Sequence, residues 1–152
     1  MSIIIPSKEY RRILEYVPLA CVDVVIVKNK KVLLIQRNAS GSFENHWWLP
    51  GGRIYKNESL NDAVPRKVFE ETGLRVIIKH QIGSYEAFDK KTSQEGVKSG
   101  THTIATVFLV ELVGSDEIKL DKSHNGYKWV EVIENTLHPY IRQILKDAKV
   151  FV

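Results

Sequence analysis

The chain has 152 residues, 43% of them apolar and 26% charged, with a net charge of +4 and a sequence pI near 9.1. Such a composition excludes a disordered or fibrous chain and is long enough to bury one core, so one domain over 1–152 is expected. The basic residues form no stripe of the kind nucleic acid demands, no run of about eighteen apolar residues would span a membrane, and Cys21, the sole cysteine, permits no intrachain disulfide. No signal pattern opens the sequence, so a cytoplasmic protein without nucleic-acid or membrane partners is expected. Its mild positive charge would favour an anionic nucleotide.

Residues 7–15, SKEYRRILE, set Tyr10, Ile13 and Leu14 on one side of a short helix, with Ser7 as cap and Pro18 closing the region. This predicts an N-terminal arm, 1–17, that packs on the domain or on a partner. The β-branched run at 19–29 and KVLLIQR at 31–37 flank a charged turn and predict a hairpin, with Cys21 as a buried thiol. Asp23 is out of place in that run. An unpaired carboxylate is costly to bury, so it is expected to face a polar pocket or a partner. Arg37, at a strand end, reads equally well as a surface charge. The loop at 38–52, rich in Ser, Asn and Gly, ends in Trp47, Trp48 and Leu49. Its indoles either seat a base or anchor the loop, and Trp48 is the one better placed for the core.

A helix should begin at Ser59 or Leu60 and stop at Gly73, with Pro65 loosening its first turn or bending it. Strand patterning resumes over 74–88, where Gly83 marks a bulge. The polar stretch 89–100 reads as a lid or specificity loop, and Glu86, Asp89 and Glu95 stand near enough in the pattern to be substitute metal ligands. Strands follow at 101–114 and 127–132, and HPYIRQILKDA at 138–148 makes an amphipathic helix carrying Ile141, Ile144 and Leu145. Strands interrupted by helices fit an α/β fold with a mixed sheet between helices.

Chemistry gathers in GGRIYKNESLNDAVPRKVFEETGL, 51–74, where Gly52 is followed after five residues by Glu58 and after seven more by Arg66. Helix positions three and four apart share a face, so Arg66 lies over Glu70, and Lys67 over Glu70 and Glu71. Taken alone, these are surface pairs worth about a few tenths of a kcal/mol each. Joined to Gly51, Gly52, Glu58 and Gly73 at fixed offsets, they become an oxygen cage for Mg²⁺, with Mn²⁺ as the alternative.

This stretch resembles the Nudix box, Gly-x5-Glu-x7-Arg-Glu-aliphatic-x-Glu-Glu-x-Gly-aliphatic, and departs from it only at Lys67, where the pattern has an acid. The resemblance implies an α/β/α sandwich around a central mixed sheet, and metal-dependent hydrolysis of a nucleoside diphosphate joined to another group. NHWWLPGGRIYKNESL and LDKSHNGYKWV, the latter at 120–130, further resemble the GDP-mannose mannosyl hydrolase branch, which also lacks that acid and sends water to the sugar anomeric carbon. On that resemblance Gly51 and Glu71 would hold the metal, Arg37 and Arg53 the departing diphosphate, and Asp23 the sugar. His124 would be general base and the arm would join a homodimer. Without the resemblance His124 reads as a solvated loop histidine. Ser123 stands where that branch has a glutamine ligand. Glu70, a further candidate metal ligand, favours instead a pyrophosphatase cleaving P–O–P. A non-catalytic nucleotide-sugar binding module, with Lys67 neutralising Glu71, is the third reading.

Overall fold

Alternation along the strand Leu19–Lys28 (β1) decides the layering of the computed structural model, which describes residues 4–39 and 41–151. Val22, Val24 and Ile26 point to one face and meet Ala63, Val64 and Val68 of the helix Leu60–Thr72 (α2). Cys21 and Val25 point to the other, where they join Leu14 of the helix Ser7–Tyr16 (α1) and Ile141, Ile144 and Leu145 of the helix Pro139–Ala148 (α3). The sheet is therefore buried between α2 on one side and α1 with α3 on the other, the expected α/β/α sandwich.

The sheet is mixed. β1 runs parallel to Thr101–Val113 (β6), and β6 pairs antiparallel with Arg75–Asp89 (β5). On its other side β1 makes the expected hairpin with Lys31–Arg37 (β2), through Asn29 and Lys30 at φ 51° and 61°. Two successive positive φ values mark a turn whose twist suits a hairpin. Only Val27–Val32 and Lys28–Lys31 are paired, because the strands then part. Two short strands, Trp47–Trp48 (β3) and Gly51–Arg53 (β4), fill the gap, β3 on β2 and β4 on β1. Gly51 is thereby set opposite Asp23.

Several local expectations are refined. Ser7 is the first residue of α1 rather than its cap, and Pro6 precedes it without a side-chain capping bond. Pro65 neither loosens nor breaks α2, which is continuous, since Pro65 and Asn61, whose carbonyl it leaves unpaired in the helix ladder, both face solvent. Ser59 caps that helix and Gly73, at φ 73°, ends it in the left-handed conformation glycine favours. The register of β5 slips beside Gly83, as anticipated, and again between Ile78 and His80. The last strand, His124–Val130 (β7), starts three residues earlier than its pattern suggested and takes His124 out of the expected turn. The 90–100 loop is tied down: the Glu15 carboxylate accepts from the Lys98 and Ser99 amides, both at 3.0 Å, and Asp89 accepts from the amide of Phe43. Among the described residues, no helix is long and apolar enough to cross a membrane.

Candidate metal centre and adjoining cavity

The C-terminal end of α2 lies against the Gly51–Gly52 turn, and Glu71, 5% exposed, is the residue that joins them. Its Oε1 accepts the Gly51 N–H at 2.8 Å, while Oε2 lies 3.7 Å from Lys67 Nζ and 4.0 Å from His124 Nε2. Burial raises the Glu71 carboxyl above its ordinary range, against the opposing pull of Lys67, His124 and the Gly51 amide. The main chain fastens the late segment to the same helix end. Lys119 donates to the Thr72 carbonyl and Asp121 to that of Glu71.

That fastening delivers Asp121 and His124 to the carboxylate. His124 Nδ1 is 2.7 Å from Asp121 Oδ1, which also accepts from Ser123 Oγ at 2.9 Å. With Nδ1 engaged, Nε2 is turned toward Glu71. Ligand atoms of Glu71, Asp121 and His124 all fall within 4.8 Å of one another. Two carboxylates and an imidazole fit a divalent ion, the nitrogen suiting Mn²⁺ better than Mg²⁺.

The other box residues are committed to each other. Arg66 donates to both oxygens of Glu58, at 2.5 and 2.7 Å, and to the Arg53 carbonyl at 3.1 Å, with its guanidinium 3.7 Å above the Tyr55 ring. The bonds from Arg66 hold the Glu58 carboxyl below its ordinary range. Glu70 is half-exposed and pairs with Arg66 at 3.2 Å and Lys67 at 3.5 Å. It stands outside the buried trio, as do Glu86, Asp89 and Glu95.

Across Gly51 from Glu71 opens a cavity of about 160 Å³ whose walls include Asp23, Arg37, Trp48, Gly51 and Arg53, with Tyr10 and Leu14 of α1 at one side. Gly51 admits no side chain, since a Cβ would come within 2.2 Å of Asp23 Oδ1 and of the Val22 carbonyl. Asp23 Oδ2 accepts from Tyr140 Oη at 2.6 Å. Burial pushes the Asp23 carboxyl up to about 7; the Tyr140 bond and the Arg37 charge oppose the shift and the Glu71 charge adds to it. Trp48 is both wall and core, stacked on Phe43 at 4.3 Å and on Tyr140 at 5.1 Å. Arg37 Nε donates to the Ser42 carbonyl at 2.8 Å and so braces the cavity loop.

The sequence-derived residues thus fall into two groups that meet at Gly51: Asp23, Arg37, Trp48 and Arg53 around the cavity, Glu71 and His124 at the metal centre. Two members were not foreseen. Asp121, three residues before His124, had its proximity as a signal. Tyr140 had none, being 117 residues from Asp23 in the chain.

A NUDIX domain model matches residues 17–148. The Low-salt glycan biosynthesis protein Agl8 of Haloferax volcanii is 38% identical over 141 residues, covering 93% of this chain and 88% of that protein. An ADP-ribose pyrophosphatase of Methanocaldococcus jannaschii is 34% identical over 109 residues, covering 72% of this chain and 59% of that one. Among solved structures, a MutT protein from Methanosarcina mazei Go1 superposes with a TM-score of 0.70 at 28% identity, over 85% of this chain and 91% of the other.

Proposed function

The chain belongs to the NUDIX domain family, and from that premise we propose a Mg²⁺- or Mn²⁺-dependent hydrolase of nucleoside diphosphate sugars. Water attacks the sugar anomeric carbon and the C–O bond breaks. The nucleoside diphosphate leaves with the bridging oxygen, and the free sugar keeps the oxygen of water. One observation carries this bond choice. Glu70 is half-exposed and paired with Arg66 and Lys67, while Glu71, which Lys67 also reaches, is buried and joined by a histidine already held by Asp121.

In this reading Glu71, Asp121 and the Gly51 carbonyl would hold the ion, which would neutralise charge on the departing diphosphate. Asp121 keeps His124 Nδ1 engaged, so Nε2 takes the proton from the attacking water. Arg37 and Arg53 face the diphosphate as fixed positive charges. Asp23, held by Tyr140, receives a sugar hydroxyl, and Trp48 walls the cavity. The name of the Agl8 relative, a glycan biosynthesis protein, supports a sugar-bearing substrate. The same reading makes 1–152 one domain, with arm 1–17 at a homodimer contact, working in the cytoplasm.

Pyrophosphatase chemistry is the second reading, favoured by the retained Glu70 and by the name of the ADP-ribose pyrophosphatase relative. Hydrolysis of GDP-, UDP- and ADP-sugars in ¹⁸O-labelled water separates the two. Label in the free sugar, with unlabelled nucleoside diphosphate, is expected. Label in a phosphate product would replace the first reading by the second, and absence of metal-stimulated turnover on every substrate would favour the binding module.

A further inference from the structure

Lys67 stands where the box pattern has an acid, and its side chain is largely buried. The side chain is 17% exposed, with Nζ 3.5 Å from Glu70 Oε2 and 3.7 Å from Glu71 Oε2. Its stem passes directly under the glycine turn, so near that a Cβ on Gly52 would lie 2.7 Å from Lys67 Cε and 3.1 Å from Nζ. A positive charge is therefore seated where the turn meets both box carboxylates. It lies beside the Glu71, Asp121 and His124 trio without belonging to it.

A lysine ammonium is a compact point charge with donors only, and it serves in other proteins as a phosphate ligand. It can neutralise the Glu70 and Glu71 edge and still face an anionic substrate, as a divalent ion on the same two carboxylates would. Unlike that ion, it cannot leave.

We propose that Lys67 is a resident cation that takes the place of a second divalent ion at Glu70 and Glu71, so that the protein binds one exchangeable ion, at Glu71 and Asp121 beside His124. The inference rests on the metal-dependent reading above and deepens it: the substrate diphosphate meets one exchangeable and one covalently fixed cation. A second consequence is repulsion. The fixed ammonium weakens the exchangeable site that shares Glu71.

The test is Mn²⁺ titration of the nucleotide-free protein, followed by the electron paramagnetic resonance signal of the free ion. Wild type is expected to bind one Mn²⁺ and Lys67→Glu two. Lys67→Gln is expected to bind one, roughly tenfold more tightly, because the positive charge 3.7 Å from the shared Glu71 carboxylate, which repels the ion, has gone. Two ions on wild type, or one ion on a Lys67→Glu variant that melts like wild type, would overturn the proposal. Should Lys67→Glu fail to fold, Lys67→Gln decides alone, and unchanged or weaker Mn²⁺ affinity there overturns it. No binding by any of the three would instead remove the metal-dependent function itself. The oxygen-label experiment bears only on which bond breaks, so the two failures are distinguishable.

Discussion

His124 belongs to the site because Asp121 takes its Nδ1 and the main chain of α2 holds Asp121 in place. Its spacing from the box carried no such information. Cys21 shows the opposite case, a residue whose apolar neighbours in sequence gave its burial correctly. Burial, with the Asp23 charge adding to it, pushes its thiol up to about 12, although Lys67, Arg53 and Arg37 pull the other way. The unfolded thiol titrates near 8.5, so its contribution to stability is complete below that pH and is lost as pH rises toward about 12. Because the thiolate is the nucleophile, a disulfide reagent at pH 8 should label native protein at least about a hundredfold more slowly than guanidinium-unfolded protein. Equal rates would place Cys21 at an accessible surface.

At the scale of elements, α2 was readable because its ends are marked by local chemistry. The Ser59 hydroxyl accepts the Asp62 amide at 3.1 Å, and Gly73 supplies the left-handed residue. Ser59→Ala is expected to lower stability by about 1 kcal/mol, read as a shifted urea midpoint at unchanged slope. A midpoint equal to wild type would mean that the cap bond is fully replaced by water. The hairpin of β1 and β2 was legible at its turn and illegible beyond it. Nothing in either strand announces that they separate to admit β3 and β4, since that opening depends on the Trp47–Arg53 segment finding both free edges.

For the molecule as a whole, α1 does more than cover the sheet. Tyr10 and Leu14 line the cavity, and Glu15 ties down the loop at Lys98 and Ser99. Tyr16 and Val17, at its far end, remain exposed, 77% and 51% respectively, and suit the homodimer contact expected of the arm. Light scattering at micromolar protein should then give twice the chain mass of 17.4 kDa. The mass of a single chain would remove the dimer from the account.

What the sequence determined by itself is whatever depends on neighbours along the chain. Caps gave the ends of α2, β-branched runs gave most of the long strands, and fixed offsets from Gly52 to Gly73 gave the family. What only the tertiary structure decided is how far-separated segments meet: Asp23 with Tyr140, Glu71 with Asp121 and His124, and the Lys67 ammonium with Gly52. The physical reason is that a turn or a helix face is set by bonds a few residues long. A buried charge, in contrast, takes its protonation, its partners and its access to an ion from whichever distant groups the packed core brings against it.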